Sequence, residues 1–206
     1  MAISIHPTAV VETNDVGEGT SIGPFCYIGP RVRIGNNCKL VGYCSLGGLP
    51  ECKVLPELDE NGLIIVGNNV EIREFVTINL PMKQMTYIGD NSYLMSHVHI
   101  PHDVYLAHDS FLTNGATLGG FTQVGKFCYL GLNCVTHPNA VLGDYCVVGA
   151  SAFFKGESPP GIVWVGVPVR PLRVNTVGLD RYASKQEKER IQPRALQFIS
   201  DFNSEQ

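Results

Sequence analysis

Aliphatic residues recur at every sixth position over most of the chain. The first series runs from Val10 to Leu46 and is often followed by glycine, as in Ile22-Gly23. The spacing resumes from Val66 to Ile78 and again from Ile88 to Val148, with Thr136 as the one member that is not aliphatic. This period is neither the repeat of a helix nor the alternation of an amphipathic strand. A fixed hexapeptide register predicts a parallel β-helix, in which three repeats, about 18 residues, close one coil.

A second small or β-branched residue stands four positions after each aliphatic one. We expect both positions to point into a narrow prism. A free thiol packs as a small apolar side chain, and the seven cysteines include no C-x-x-C pair. Their placement predicts interior packing in a reducing compartment, in preference to metal ligation or catalysis. Six of them occupy this second position: Cys26, Cys38, Cys44, Cys128, Cys134 and Cys146.

Two segments break the register, at 47–63 and at 80–87. Loops inserted into a solenoid project from a corner, and such loops commonly build a site. A tolerated surface insertion is the alternative reading. Cys52, the one cysteine outside the repeat, lies in the first of these segments.

The repeat ends after Phe154 in a proline-rich stretch. Ser184 followed by Glu187 forms a capping box for a short helix, and Pro193 suits the first turn of another. The sequence therefore predicts an all-β domain at 1–170 and a short helical extension at 171–206.

Charge and hydropathy exclude several classes of partner. The 206 residues carry a net charge of -4, with 17% charged residues, which is no electrostatic footprint for nucleic acid or for an anionic membrane surface. The first residues lack the basic segment and apolar stretch of a signal peptide, and no apolar run approaches the ~20 residues of a membrane span. We therefore expect a cytoplasmic protein with no membrane span.

Five of the six histidines lie in the segment from His97 to His137. Taken singly, each is more commonly a surface residue than a catalyst. With about 18 residues per coil, however, His102, Gly120 and Pro138 lie above one another on successive coils. Adjacent coils are about 4.8 Å apart, so His102 and His137 should stand roughly 10 Å apart along one corner. That separation suits a ligand lying between coils.

The residues of this column favour acyl transfer. A neutral imidazole, with an ordinary pKa of about 6.5, takes a proton from a hydroxyl or amine that attacks a carbonyl. Asp103 could orient the ring of His102, and the Gly120 N–H is a suitable donor to the developing oxyanion. His99 joins the same neighbourhood. Because no G-x-S-x-G element is present and the well-placed cysteines are interior, direct transfer is favoured over a covalent acyl-enzyme.

Several motifs resemble one family, the acyl-carrier-protein-dependent UDP-N-acetylglucosamine O-acyltransferases of lipid A synthesis. The resemblance implies a left-handed β-helix, a homotrimer with active sites between subunits, an acyl carrier protein as donor, a nucleotide sugar as acceptor and no tightly bound cofactor. The His-x-x-His-Asp element is the most diagnostic of them. The motifs are Ile5-His6-Pro7-Thr8-Ala9, Ile72-Arg73-Glu74 with Val76-Thr77-Ile78, His99-Ile100-Pro101-His102-Asp103, Asn114-Gly115-Ala116-Thr117-Leu118, and Asn175 with Gly178-Leu179-Asp180-Arg181.

The same resemblance implies a role for each candidate site residue. His102 is implied as the general base and Gly120 as the oxyanion donor, beside Asp103. The implied substrate-binding residues are His99 at the sugar nucleotide, His137 near the acyl and sugar groups, Phe121 beside the sugar, Asn175 and Arg181 at the nucleotide, and Ala150 in the acyl pocket.

The chain also departs from the family pattern. Phe121 stands where the family usually carries a histidine, and Leu80-Pro81-Met82-Lys83 replaces a His-Arg-Gly-Thr type loop. The identity of the sugar, and whether a hydroxyl or an amine is acylated, therefore stay open. The basic residues between Arg170 and Arg194 have two equally good interpretations: they dock an acidic carrier protein, or they form the solvated face of a helix.

Two alternative functions remain at this point. Gly166-Val167-Pro168-Val169-Arg170 is similar to the exit segment of coenzyme-A-dependent hexapeptide acetyltransferases, so an acyl-coenzyme A donor is the second hypothesis. A zinc enzyme of the carbonic anhydrase type, also built on this helix, is the third. Against it, His97, His102 and His108 do not share one column within a subunit, although ligands could come from two subunits. We expect no metal.

Overall fold

The computed structural model describes residues 2–53 and 59–204. Short strands wind into a prism with three faces, which we name A, B and C in the order in which the chain visits them. Strands 18 residues apart pair in parallel, as Phe111 does with Tyr129. The predicted parallel β-helix is therefore confirmed.

The strands are numbered along the chain. Face A contains β1 (Ser4–Ile5), β3 (Ser21–Ile22), β6 (Lys39–Leu40), β9 (Glu71–Ile72), β12 (Tyr93–Leu94), β15 (Phe111–Leu112), β17 (Tyr129–Leu130), β20 (Val147–Val148), β23 (Ile162–Val165) and β24 (Arg170–Val174). Face B contains β2 (Val10–Val11), β4 (Tyr27–Ile28), β7 (Ser45–Gly48), β10 (Thr77–Asn79), β13 (His99–Ile100), β18 (Val135–Thr136) and β21 (Phe153–Phe154), with bridges through Thr117. Face C contains β5 (Val32–Ile34), β8 (Ile64–Val66), β11 (Thr86–Ile88), β14 (Tyr105–Leu106), β16 (Gln123–Val124), β19 (Val141–Leu142) and β22 (Glu157–Ser158).

The interior of the prism follows the hexapeptide pattern. Aliphatic repeat residues such as Ile28 and Ile100 are fully buried, and so are the six cysteines at the second position. Thr136, the exception to the aliphatic rule, is buried as well. Its hydroxyl oxygen lies 3.0 Å from the hydroxyl oxygen of Thr122 and accepts a hydrogen bond from the Gly119 amide at 3.1 Å. These partners satisfy its polar atom, which explains how a polar residue fits the core.

Both inserted segments leave the prism at the corner between faces B and C, called the B–C corner below. The first runs from the end of β7 to β8, and residues 54–58 within it lie outside the described part of the chain. The second joins β10 to β11. The insertions therefore gather on one edge of the molecule.

The C-terminal region contains one more strand and two helices. Strand β24 pairs antiparallel with β23 and leads to α1 (Thr176–Tyr182) and α2 (Lys185–Ser204). The predicted helical tail is confirmed. The expected capping box forms: the Glu187 amide donates to the Ser184 hydroxyl at 3.2 Å, and the Ser184 amide donates to the Glu187 carboxylate at 3.0 Å.

The predicted start of a separate helix at Pro193 is wrong, because Pro193 lies inside α2. Ile191 and Ala195 are buried on either side of the proline, and this packing keeps the helix continuous across it. The division at residue 170 stays a prediction. Neither α1 nor α2 has the length and apolarity that a bilayer-spanning helix requires, in the part of the chain that is described.

Candidate active site

His102 and Asp103 lie at the B–C corner, where the second inserted segment passes over them. The Asp103 side chain is fully buried and accepts three backbone N–H groups of that segment. The donors are Met82 at 2.8 Å, Lys83 at 2.9 Å and Gln84 at 2.7 Å. The Asp103 amide in turn donates to the Thr86 hydroxyl at 3.0 Å. The carboxylate therefore ties the loop to the solenoid.

The same carboxylate orients the imidazole. Asp103 Oδ2 lies 3.0 Å from His102 Nδ1, and the His102 side chain is mostly buried. Burial by itself would raise the pKa of Asp103, but the three backbone N–H groups and His102 outweigh it and hold the pKa below its ordinary value. An ionised Asp103 accepts a hydrogen bond from the Nδ1–H group of His102, which leaves Nε2 as the nitrogen that can accept a proton.

Gly120 lies directly against His102 on the next coil. A Cβ placed on Gly120 would stand 2.5 Å from His102 Cε1 and 2.7 Å from Nε2, so only glycine fits beside this ring position. The equivalent amide at the corner between faces C and A, that of Lys126, donates to the Asp144 side chain on the following coil at 3.0 Å. On the coil above Gly120, the position equivalent to Asp144 is occupied by Pro138, whose side chain offers no acceptor. Within residues 2–53 and 59–204 the Gly120 amide therefore has no acceptor.

Of the other predicted histidines, His99 lies in β13 on face B, and His137 follows β18 at the B–C corner. His99 points outward, and its Nδ1 lies 2.7 Å from the Thr77 hydroxyl. Burial lowers the pKa of His99, which favours the neutral ring. His137 Nδ1 lies 3.0 Å from the Pro138 carbonyl oxygen and donates to it. Phe121 meets His102 edge-on, with ring centroids 5.2 Å apart.

Beside the pair, a groove of about 260 Å³ opens onto face C. Its walls include Asp103, Tyr105, Phe121, Gln123 and Asn139. Phe121, which packs against His102, is therefore shared between the pair and the groove.

Three predicted residues lie at other corners of the same chain. Ala150 is exposed at the A–B corner, between β20 and β21. Arg181 lies over the ring of Tyr182, which stacks on Phe127 at the C–A corner. Within one chain the prism separates these corners from His102, so the roles that the resemblance implies for Ala150 and Arg181 stay predictions.

Asn175 has a structural task at that C–A corner. Its side-chain oxygen accepts from the Gly178 amide at 3.1 Å and its side-chain nitrogen donates to the Tyr145 carbonyl at 2.8 Å. The residue is buried and caps α1. Both ends of the amide are occupied in this chain, and the nucleotide contact that the resemblance implies for Asn175 stays a prediction.

Sequence reasoning missed the supporting groups of the site. Thr77, Thr86 and the amides of 82–84 hold His99 and Asp103, and the sequence did not predict this supporting role for them. The available indication was positional: the second register break falls one coil before the His-x-x-His-Asp element.

The three histidines of the metal hypothesis lie at three different corners. His97 stacks on Phe75 at the A–B corner, His102 is at the B–C corner, and His108 packs against Phe127 at the C–A corner. Among the residues that the structure describes, no group of three or more histidine, cysteine or acidic side chains could hold a metal ion.

Comparison with known proteins connects this geometry to a family. Residues 15–48 match the model of the bacterial transferase hexapeptide (six repeats). An acyl-[acyl-carrier-protein]--UDP-N-acetylglucosamine O-acyltransferase of Campylobacter curvus is 35% identical over 144 residues, covering 68% of this chain and 55% of the relative. The enzyme of the same name from Campylobacter lari is 42% identical over 130 residues, covering 62% and 49%. The predicted family resemblance is confirmed.

Solved structures extend the likeness over most of the solenoid. The UDP-N-acetylglucosamine acyltransferase from Campylobacter jejuni superposes with a TM-score of 0.78 at 26% identity, over 92% of this chain and 82% of that one. The fold is accordingly a left-handed parallel β-helix, as predicted. The chain spans about half the length of the curated relatives it matches.

Proposed function

We propose that this chain is an acyltransferase that moves an acyl group from acyl carrier protein to a nucleotide sugar of the UDP-N-acetylglucosamine type. The observation that carries the proposal is the His102 ring, held by Asp103 and packed against Gly120. The names of the relatives support the donor and the acceptor.

In the proposed reaction, His102 Nε2 accepts the proton of the acceptor hydroxyl as that oxygen attacks the thioester carbonyl carbon. The carbonyl oxygen gains negative charge, and the free Gly120 N–H donates to it. The tetrahedral intermediate then collapses, the carbon–sulfur bond breaks, and the proton on His102 passes to the departing thiolate. An amine acceptor would follow the same course. No covalent acyl-enzyme is formed.

The neighbouring side chains suit the acceptor. His99 is oriented by Thr77, and His137 is oriented by the Pro138 carbonyl, so in each ring Nδ1 is engaged and Nε2 is left for a ligand. We propose that they bind sugar hydroxyl or phosphate oxygens. Phe121 presents an apolar edge where a hydrogen-bonding residue is usual in the family, which favours an acceptor that lacks a polar group at that position.

The residues at the other corners fit the proposal only in a homotrimer. A neighbouring subunit would bring Ala150, Asn175 and Arg181 from its own corners toward His102. Asn175 would act indirectly, by capping α1 and fixing its position. Seven free cysteines support a reducing, cytoplasmic location. The names of the relatives specify acyl carrier protein as the donor. Coenzyme A is therefore tested as the alternative donor.

The decisive experiment compares two histidines with matched surroundings. His108 Nδ1 lies 2.6 Å from Asp109, so it repeats the His102–Asp103 arrangement at another corner. We expect His102→Ala to lower kcat by about 10²–10⁴-fold and His108→Ala to leave it nearly unchanged. Product formation from acyl-loaded acyl carrier protein and UDP-N-acetylglucosamine is measured by mass spectrometry, and trimer content by light scattering. A folded His102→Ala variant with activity within about tenfold of the parent would exclude the mechanism.

The donor is tested separately. The same acyl group is offered on acyl carrier protein and on coenzyme A, each with a panel of nucleotide sugars bearing a hydroxyl or an amine. Preferred turnover of the carrier-protein thioester supports the proposal, whereas preference for coenzyme A supports the alternative donor.

A further inference from the structure

The corners of the prism share one backbone hydrogen bond, which we call the corner bond. At each such corner a residue in the left-handed conformation donates its amide to a carbonyl of the coil before. Asp109, with a φ of 58°, donates to the Asp90 carbonyl at 2.8 Å. Phe121, with a φ of 60°, donates to the His102 carbonyl at 3.2 Å. Residues other than glycine rarely adopt this conformation, so surrounding bonds must hold it.

Asp103 makes its corner bond in a different way. Its backbone is left-handed as well, with a φ of 58°. The second inserted segment replaces the corner beneath it: Thr77 pairs with His99, 22 positions further on, instead of the 18 of an ordinary coil. The Asp103 amide donates to the Thr86 hydroxyl at 3.0 Å in place of a carbonyl. A side chain therefore does here what the backbone does at the other corners.

The Thr86 hydroxyl is engaged as donor and as acceptor. It donates to the Asn79 carbonyl at 3.1 Å and accepts the Asp103 amide. Asn79 ends β10 and Thr86 begins β11, so the first of these bonds closes the inserted segment at its base. Thr86 is fully buried, which keeps water from taking the place of the hydroxyl. Its removal would leave two backbone groups without partners, which is unfavourable in the interior.

The left-handed conformation brings two neighbouring side chains together. In an extended chain, adjacent side chains point to opposite sides. Nevertheless, Asp103 Oδ2 lies 3.0 Å from Nδ1 of the preceding residue, His102. A second adjacent pair, His108 and Asp109, approaches to 2.6 Å, and its aspartate is left-handed too. The bond that holds the Asp103 backbone in this conformation therefore also orients the imidazole.

We propose that Thr86 is a positioning residue of the candidate active site: its hydroxyl supplies the missing corner bond, keeps Asp103 left-handed and thereby keeps the His102 proton on Nδ1. The inference rests on the proposed function for one step, in which Nε2 accepts the proton of the acceptor. Because Thr86 is fully buried, it touches no substrate. Loss of its hydroxyl therefore lowers kcat and leaves KM close to the wild-type value.

The position of the ring proton is tested first, because it needs no substrate. Nitrogen-15 NMR distinguishes Nδ1–H from Nε2–H in a neutral imidazole. We expect His102 to hold its proton on Nδ1 in the wild type and in Thr86→Ser, and to show both tautomers in Thr86→Val. Thr20→Val is the matched control. The Thr20 hydroxyl is equally buried, donates to the Gly35 carbonyl at 2.7 Å and accepts the Cys38 amide at 3.0 Å.

Turnover by the same variants is the second test. We expect Thr86→Val to lower kcat about 10- to 100-fold with KM within about twofold, and Thr86→Ser and Thr20→Val to stay within about threefold of the wild-type kcat. Thr86→Ala replaces Thr86→Val if the valine variant does not fold.

Three results would overturn the proposal. They are both tautomers of His102 in the wild type, an intact Nδ1–H form in the folded Thr86→Val or Thr86→Ala protein, and an equal loss of kcat in Thr20→Val. The expected tautomers without acyl transfer from any donor would support the role of Thr86 in orienting the ring and contradict the acyl-transfer proposal alone.

Discussion

At the scale of single residues, Asp103 has all of its acceptor capacity in use. Oδ1 accepts from Lys83 and Gln84, while Oδ2 accepts from Met82 and lies within hydrogen-bond distance of His102. A buried carboxylate needs such partners to remain ionised. One side chain thus fixes both the loop over the corner and the proton position on the imidazole.

Replacing Asp103 with Asn tests this double role. An amide offers only one acceptor oxygen, and its NH₂ group would face N–H donors, so both the loop and His102 lose their orientation. We expect activity to fall by roughly 10²-fold or more and the amides of Met82–Gln84 to exchange faster with deuterium. Asp109→Asn, at the His108 pair, is the matched control. Parental activity in Asp103→Asn with unchanged exchange would contradict the assignment.

Gly120→Ala probes the close contact with the imidazole. The added Cβ would stand 2.5 Å from His102 Cε1, so the ring must move aside. A displacement of about 1 Å of a reacting group costs on the order of 10²-fold in rate, and we expect kcat to fall by that factor. Gly29→Ala, whose Cβ meets no atom closer than 3.4 Å, serves as control. An unchanged kcat in folded Gly120→Ala would show that catalysis does not depend on the position of the His102 ring beside Gly120.

At the scale of elements, the sequence predicts the coils, the helical extension and its capping box, but not how the extension packs. The hexapeptide period places interior residues such as Ile100 and Cys134 because each repeat packs only on its neighbours. The period also stacks His102 below Gly120. It contains no information on how α2 returns across the solenoid, since that depends on long-range packing of Ile191 and Phe198. For the same reason, it did not indicate that Asn175 caps α1.

Glu187 anchors the first turn of α2 to the solenoid. Its carboxylate accepts from Lys126 Nζ at 2.8 Å and from the Tyr145 hydroxyl at 3.2 Å, besides the Ser184 amide. The Lys126 ammonium, followed by the Ser184 groups, lowers the pKa of Glu187 to about 2 from its ordinary 4.5.

The lowered pKa gives a prediction for stability against pH. A depressed folded-state pKa adds stability above the unfolded value of about 4.5, and this stability is lost as the pH falls toward 2. We expect Glu187→Gln to lower Tm by a few degrees at neutral pH, and the difference from wild type to shrink below pH 4.5. Glu189→Gln on the same helix, with a long exposed contact of 3.9 Å to Lys185, should leave Tm unchanged. A difference that persists at acid pH would refute the electrostatic account.

At the scale of the whole molecule, the two ends of the prism differ. The C-terminal end is covered by β24 and by α2, with Trp164 buried beneath them. At the other end, β1 and β2 are the terminal strands of their sheets, and no element in the described part of the chain covers them. Ile5 and Val10 are about half exposed there.

This asymmetry predicts a gradient of hydrogen exchange along the solenoid. Stacked repeats unfold from uncovered ends, where a coil has one neighbour instead of two. The Val10 amide bonds to Cys26 at 2.8 Å, and the Ala107 and Val141 amides bond to the following coil at 2.9 Å. Because these bonds are equally short, differences in exchange report the local opening of coils. We expect Val10 to exchange at least tenfold faster than Ala107, and Val141, near the covered end, to resemble Ala107. Equal protection of all three amides would mean that the prism opens as one unit and that covering by α2 adds nothing.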